Sequence, residues 1–312
     1  MALSRGGARG DRGRQAPAGA GRPRRGIDSP AALDVLDGAS GSTKRFEEVR
    51  LVQDRGLAAY IAELVGTLFL VFAICTVVTL FVATSATAQT GSDFAVVGLV
   101  HGIVLFAVII TLGAVSGGHF NPVVTLAAAV LRRIDPVDAL VYILAQLSGG
   151  VLGALLVKGL LLDEGRAGHY GAATISPLLA GHFAGAVVEG LGTFLLVLAV
   201  CAVAFNPRAR HEWAPLAIGL TLGLDVMIFG PLTGSAVNPA RWFGPALIGN
   251  KFGGTWPYIV GPIVGALAAA ALYRFVIAGG QYALGPEPPT SGAEVVENVT
   301  ADVSTAARPR RK

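Results

Sequence analysis

Charged side chains are scarce in this sequence: only 14% of its 312 residues are charged, and 53% are hydrophobic. Soluble domains carry about 25% charged residues, so an ordinary soluble domain is excluded. Cysteine is also rare. Cys75 and Cys201 both lie inside apolar runs, which favours small buried hydrophobic residues over a disulfide or a metal pair. Because the sequence has no metal, redox or nucleophile–base motif, we expect no enzyme activity, cofactor or metal.

Apolar residues are concentrated in six stretches, each long enough for a hydrocarbon core, which needs about 20 helical residues. The stretches run over roughly 58–83, 95–115, 136–162, 184–205, 213–232 and 255–277. The first lies too deep in the chain, and is too long, to be a signal peptide. The sequence therefore predicts an all-α integral membrane protein with six transmembrane helices.

Two polar ends flank this apolar region. Residues 1–56 are rich in arginine, glycine, proline and alanine, and residues 279–312 contain several prolines. Neither end shows apolar periodicity, so both are predicted to be disordered tails around a membrane domain over 57–278. A basic tail beside a membrane domain favours a cytoplasmic segment near anionic lipid over one that binds nucleic acid.

Basic residues in the short loops predict the orientation. The loops on one side contain Arg132, Arg133, Arg208 and Arg210. The opposite loops, over 84–94 and 163–183, contain three acids and one arginine. Both termini are therefore predicted to be cytoplasmic in a multi-pass cell-membrane protein.

Two asparagine–proline steps lie between the apolar stretches. Asn121-Pro122 occurs in SGGHFNPVVT and Asn238-Pro239 in TGSAVNPAR. Asparagine is a good helix N-cap and proline is favoured in the first helical turn, so each step predicts the start of a short helix. A helix that begins at membrane depth must be buried in protein or line a wet cavity.

The two halves of the membrane region repeat each other. The segment AELVGTLFLVFAIC around Glu63 recurs as VEGLGTFLLVLAVC around Glu189. Each half, over about 57–162 and 184–278, has three spans with a half-helix between the second and third. Since three is odd, the halves insert in opposite orientations. Such inverted repeats place their site near the bilayer midplane, at the repeat interface.

Small residues indicate where the helices of each half approach closely. The third span carries Gly149 and Gly153 and the sixth carries Gly261 and Gly265, each pair four residues apart. This spacing allows close helix packing in membranes. The separation of 117 residues between the two asparagines also relates Gly102 to Gly219.

Together these motifs resemble the major intrinsic protein family, the aquaporins and aquaglyceroporins, over about residues 57–278. The resemblance implies six spans and two re-entrant half-helices in a 3+3 inverted repeat. It also implies a passive channel for water and small neutral solutes that excludes protons and ions. Each protomer of a homotetramer would hold its own pore in the lipid bilayer, and we expect a bacterial cell membrane.

The resemblance assigns the central pore constriction to the two motifs, with residues Asn121, Pro122, Val123, Asn238, Pro239 and Ala240. Each helix N-terminus presents about half a positive charge, so two facing ends would repel cations, including hydronium. The asparagine amides would orient the central water and interrupt proton hopping. Val123 departs from the family's usual alanine and would add two methyl groups beside the constriction.

The resemblance also implies a selectivity filter of His101, Val226, Ser235 and Arg241, each placed by its spacing from an asparagine. An arginine at membrane depth costs on the order of 2.5–3.5 kcal/mol to insert, which favours a functional role for Arg241 over snorkelling to head groups. His101 could instead be a structural histidine. The four residues are similar to the filter of plant tonoplast intrinsic proteins, and they predict an opening wider than a strict water filter.

Further roles follow from the same resemblance. His119 is expected at the cytoplasmic pore mouth, with the backbone of Gly117 and Gly118. Acids within a span could form a proton relay, but the equivalence of Glu63 and Glu189 in the repeat favours structural anchors that accept hydrogen bonds from the backbone of the non-helical loops.

The role of Asp225 is left open. It follows Leu224 and precedes the filter residue Val226. The sequence allows pairing with Arg241, capping of loop backbone, or a subunit contact.

Three other functions compete with a water channel. The first is a channel mainly for ammonia, hydrogen peroxide, urea or glycerol, although Trp242 stands where glycerol channels have an aspartate. The second is an ion-coupled secondary transporter that uses Glu63 and Glu189. The third is a non-conducting membrane scaffold, if Val123 closes the pore.

Overall fold

The computed structural model describes residues 56–83 and 92–278. It contains helices and turns, with no strand among these residues. The nine α-helices of this part of the chain are α1 (Gly56–Val78), α2 (Ser92–Ser116), α3 (Pro122–Val130), α4 (Pro136–Leu160), α5 (Leu162–Ala167), α6 (His182–Val200), α7 (Ala214–Thr233), α8 (Pro239–Ile248) and α9 (Pro257–Leu272). The predicted tails, apart from Gly56, and most of the loop over 84–94 lie outside the described residues.

Short helical turns extend or precede several of these helices. Thr79–Ala83, Cys201–Phe205 and Tyr273–Ile277 are π-helical turns that continue α1, α6 and α9. His169–Gly171 and His211–Trp213 are 3₁₀ turns.

All six predicted spans are confirmed. The helices long and apolar enough to cross a membrane are Gly56–Val82, Asp93–Ser116, Pro136–Leu160, His182–Phe205, His211–Thr233 and Pro257–Ile277. Each is apolar on its outer face as well as its inner one, as expected for helices surrounded by lipid. Leu99, Ile103 and Leu220, for example, are more than half exposed on the surface of the protein.

Helix pairing follows the repeat. In the first half α1 packs on α4, in the second α6 packs on α9, and α2 packs on α7 across the halves. Glycines permit these contacts: Gly153 faces the Leu68 carbonyl of α1, and Gly265 faces the Gly190 carbonyl of α6. At the contact between halves, Gly102 and Gly219 face each other's carbonyl oxygen. The predicted close approaches are therefore present.

Replacing Gly153 with alanine is expected to destabilise the protein, because the added Cβ would lie 2.5 Å from the Leu68 carbonyl oxygen. Overpacking of this kind costs about 1–3 kcal/mol. Gly159→Ala on the same helix is the matched control, since no atom lies within 4 Å of its added Cβ; it should leave stability unchanged or raise it by about 0.5–1 kcal/mol. Thermal unfolding in detergent, followed by tryptophan fluorescence, measures both. Equal melting temperatures for the two variants would contradict this packing.

Two short helices interrupt the pattern of long spans. α3 has 9 residues and α8 has 10, and each begins with proline directly after an asparagine N-cap. Both asparagines have extended backbone and accept hydrogen bonds from the first turn of their helix, as a capping residue does. The two half-helices predicted from the Asn-Pro steps therefore form where expected.

Candidate functional site

Glu63 of α1 holds the loop before α3. Its carboxylate accepts hydrogen bonds from the Ser116 hydroxyl (2.6 Å), the backbone N–H groups of His119 (3.0 Å) and Phe120 (2.7 Å), and the Gln146 amide (2.7 Å). Glu63 is fully buried. Buried backbone groups in an irregular loop need such partners because no water is available inside a membrane domain.

Glu189 of α6 does the same for the loop before α8. It accepts hydrogen bonds from the Thr233 hydroxyl (2.6 Å) and from the backbone N–H groups of Ala236 (3.0 Å) and Val237 (2.7 Å). Both glutamates therefore occupy the anchoring position predicted for them. Neither glutamate lies on the wall of the cavity of about 620 Å³ that contains Asn121 and Asn238.

Each loop turns through left-handed backbone just before its half-helix. In the first loop the φ angles are +90° at Gly117, +69° at Gly118 and +46° at Phe120. The second loop repeats the pattern at Gly234, Ser235 and Val237, with φ of +77°, +42° and +41°. Left-handed backbone is strained for non-glycine residues, especially for a β-branched one such as Val237. The glutamate hydrogen bonds compensate for this strain.

Each of the two asparagine side chains donates a hydrogen bond to the loop of the other repeat. Asn121 Nδ2 donates to the Val237 carbonyl at 3.0 Å, and Asn238 Nδ2 donates to the Phe120 carbonyl at 2.8 Å. Each carbonyl belongs to the residue just before the other asparagine. Each Oδ1 meanwhile accepts from the backbone N–H two residues on, at Val123 and Ala240. The N-termini of α3 and α8 are thus brought together, and both add partial positive charge there.

A cavity of about 620 Å³ contains both asparagines in its wall. On one side it reaches His101, in the middle part of α2, and Arg241 in α8; on the other it reaches His211 and Glu212, which precede α7. Since α2 and α7 belong to opposite halves of the inverted repeat and enter the membrane from opposite sides, the cavity extends along the bilayer normal. Apart from these polar groups, aliphatic side chains form most of its wall.

His101 and Arg241 both lie on this wall, and both are 1% exposed. His101 Nδ1 lies 2.7 Å from the Val97 carbonyl. A carbonyl only accepts, so the neutral ring carries its proton on Nδ1 and leaves Nε2 as an unpartnered acceptor. Arg241 Nη1 donates to the Gly171 carbonyl at 3.1 Å, and its Nε has no partner in the described protein.

Val226 and Ser235 are placed differently from these two residues. Val226 is fully buried in the hydrophobic core and Ser235 is 1% exposed. Neither is in the wall of the 620 Å³ cavity, as formed by the described residues. The structure thus brings together two of the four predicted filter residues, and a filter of all four stays a prediction.

Val123 and the neighbouring Val124 are placed differently. Val123 was expected beside the constriction, but it is 1% exposed and packs in the hydrophobic core, whereas Val124 lines the cavity. Successive helical residues point about 100° apart, and here Val124 points toward the cavity and Val123 toward the core. Pro122, Pro239 and Ala240 are likewise absent from this wall within the described residues. The extra methyl groups of Val123 therefore do not close the cavity.

The predicted cytoplasmic mouth lies on the cavity wall. Gly117, Gly118 and His119 all contribute to it. His119 Nδ1 is 3.1 Å from the Thr125 hydroxyl, and its ring packs edge-on against Tyr142 and Phe205.

Several supporting residues were not found from the sequence. Gln146 donates to both Glu63 and Thr125, and Tyr142 and Tyr258 donate to the equivalent carbonyls of Ser116 and Thr233. Polar atoms within apolar spans were the available signal. No such signal in the sequence marks Gly171. Its carbonyl accepts from Arg241 where the backbone of His169, Tyr170 and Gly171 is left-handed.

The sequence and the fold were compared with known proteins. Residues 50–273 match the family described as Major intrinsic protein. The chain is 37% identical to nodulin-26 of Glycine max over 78% of this chain and 86% of that protein. It is 37% identical to the probable aquaporin TIP3-2 of Arabidopsis thaliana over 71% of this chain and 84% of that protein.

Among solved structures, the fold is similar to the aquaglyceroporin from Plasmodium falciparum. The TM-score is 0.60 at 23% identity, with 70% of this chain and 96% of that chain covered. The membrane fold, the paired half-helices and these matches place the protein in one class: it belongs to the major intrinsic protein family. Members of this family are channels.

Proposed function

We propose that this protein is a passive channel for water, with small neutral solutes as additional substrates. The observation that carries the proposal is the pair of hydrogen bonds by which Asn121 and Asn238 each bind the other's loop, in the wall of a cavity that runs along the bilayer normal. Two helix N-termini meet there, so cations are repelled while neutral molecules can exchange hydrogen bonds with the wall.

The proposed filter includes His101 and Arg241, with Val226 and Ser235 as its other members. His101 offers an acceptor at Nε2 and Arg241 offers donors, so a solute with both a donor and an acceptor is complemented. Water meets this requirement, and so do urea, glycerol, ammonia and hydrogen peroxide.

Stopped-flow light scattering of proteoliposomes tests the function. A sucrose gradient should make them shrink much faster than empty liposomes, and gradients of glycerol, urea or ammonium then rank the solutes. Water permeability equal to that of empty liposomes would refute the proposal. Uphill accumulation of a solute driven by a proton gradient would instead indicate an ion-coupled transporter.

The double variant His101→Phe, Val226→His is expected to abolish solute flux but spare water flux, because both changes narrow the proposed filter and the imidazole introduced at position 226 still offers water a hydrogen-bond partner. Each single variant, measured in the same liposomes at equal protein content, serves as the control. Solute flux that is unchanged in the double variant would rule out the four-residue filter.

We further propose a homotetramer in a bacterial cell membrane, with both termini cytoplasmic. The arginines of the loops on the side of the termini support this orientation. The described residues form one helical channel domain, with the inverted repeats over about 57–162 and 184–278. Chemical crosslinking of the protein in its membrane measures the oligomeric state.

A further inference from the structure

The two repeat-related glutamates differ by one hydrogen bond. Glu63 accepts from four donors, and the fourth is the Gln146 amide, which reaches Oε2 from α4. Glu189 accepts from three donors in the part of the chain described, and its Oε2 accepts only the Val237 N–H. The second repeat therefore supplies no amide where the first supplies Gln146.

A second buried carboxyl group of this repeat lies on α7, which packs against α6. Asp225 is fully buried, and neither of its oxygens has a hydrogen-bond partner within the described residues. A Cβ built on Gly192, one helical turn from Glu189, would lie 3.8 Å from Asp225 Cγ and 2.8 Å from the side chain of Val237. Asp225 thus packs against α6 one helical turn from Glu189, at the same glycine as Val237, whose N–H donates to Glu189. The two carboxyl groups are close enough to interact electrostatically.

The groups around Glu189 and Asp225 stabilise one negative charge but not two. Arg241 is within electrostatic range of Glu189, and its Nη1 is bonded to the Gly171 carbonyl. Glu189 accepts three donors, as an ionised carboxylate does. A second buried carboxylate with no donor and no cation of its own would be very unfavourable, whereas a neutral carboxylic acid has an O–H to donate.

We propose that Asp225 is a neutral carboxylic acid whose O–H donates to Glu189 Oε2, replacing in the second repeat the amide that Gln146 supplies in the first. Asp225 is a positioning residue: it acts through Glu189 on the backbone of Ala236 and Val237, and so on Asn238 and Arg241. It does not face the cavity. Its effect on flux rests on the proposed function, but its protonation state does not.

Infrared spectroscopy of the full-length protein in liposomes tests the protonation state. At neutral pH the wild type should show the carbonyl stretch of a protonated carboxylic acid, and Asp225→Asn should lose that band. The same two samples are then compared for flux. Asparagine keeps a donor at this position, so water permeability and the water-to-glycerol ratio should match the wild type, whereas Asp225→Leu, which has no donor, should lose discrimination between them.

The first repeat provides the matched control. Gln146→Leu removes the corresponding donor from Glu63 and should also impair flux, without affecting the carboxylic acid band. Three results would overturn the proposal: no band in the wild type, a band that survives in Asp225→Asn, or Asp225→Asn being as impaired as Asp225→Leu. A proton leak through the wild type that Asp225→Asn removes would overturn it as well, because Asp225 would then carry protons.

The two proposals can fail separately. If Asp225→Leu does not fold, the band and the flux of Asp225→Asn still decide the role of Asp225. If wild-type liposomes are no more permeable to water than empty ones, the proposed channel function fails while the infrared comparison remains valid.

Discussion

Replacement of Arg241 by valine is expected to let monovalent cations through the channel. The guanidinium lies on the cavity wall, is 1% exposed, and is the only arginine or lysine in that wall among the described residues. A cation about 4 Å away would lose about 4 kcal/mol of repulsion at an effective dielectric constant of 20. Since about 1.4 kcal/mol is a factor of ten, cation flux should rise by up to roughly 1,000-fold. Potassium efflux and proton leak from proteoliposomes measure this rise in cation flux.

Arg241→Lys separates charge from geometry in the same experiment. Lysine keeps the positive charge but lacks the planar group that bonds the Gly171 carbonyl at 3.1 Å. Cation exclusion should therefore persist in this variant, while the permeability to neutral solutes changes. Cation flux in Arg241→Val as low as in the wild type would show that the half-helix N-termini alone form the barrier.

Replacing Glu63 with alanine is expected to prevent stable folding. The change leaves four buried donors without their acceptor: the Ser116 hydroxyl, two backbone N–H groups and the Gln146 amide. Hydrogen bonds to charged groups contribute about 1.5–3 kcal/mol each, so the loss is on the order of 6 kcal/mol or more. That is comparable with the whole free energy of unfolding of a typical protein, about 5–15 kcal/mol. Membrane expression and melting temperature in detergent measure the effect.

Glu63→Gln is expected to be less stable than the wild type but more stable than Glu63→Ala. The one oxygen of the glutamine can still accept from Ser116 and His119. Its amide nitrogen is a donor, however, and would face two other donors, the Phe120 N–H and the Gln146 amide. The expected order of stability is wild type, then glutamine, then alanine. A melting temperature of Glu63→Ala equal to that of the wild type would exclude the anchoring role.

The inverted repeat explains why one architecture serves both loops. Glu63 and Glu189 hold their loops through equivalent groups, and Asn121 and Asn238 make equivalent bonds in opposite directions. The halves diverge where a filter requires asymmetry: His101 and Arg241 have no polar repeat counterparts, since Ile218 and Val124 occupy those positions. The repeat thus builds the cavity, and the departures from it supply its selective groups.

Much of this could be predicted from the sequence. The six spans follow from apolar length, and the starts of α3 and α8 follow from Asn-Pro capping, because both signals are local. The repeat then related Glu63 to Glu189 and predicted that they anchor loops. That Val124 and not Val123 lines the cavity could not be predicted, because spacing from a motif gives the position along a helix but not the direction in which each side chain points.

The sequence by itself determined the membrane class, the inverted repeat and the pair of helix caps, since these depend on residue type and spacing. Only the tertiary structure decided that each asparagine donates to the opposite loop, that the Gly171 carbonyl accepts from Arg241, and that Asp225 packs one helical turn from Glu189. These contacts join residues far apart in the chain, for example 116 positions for Asn121 and Val237. Their geometry depends on how the helices pack, which no local pattern specifies.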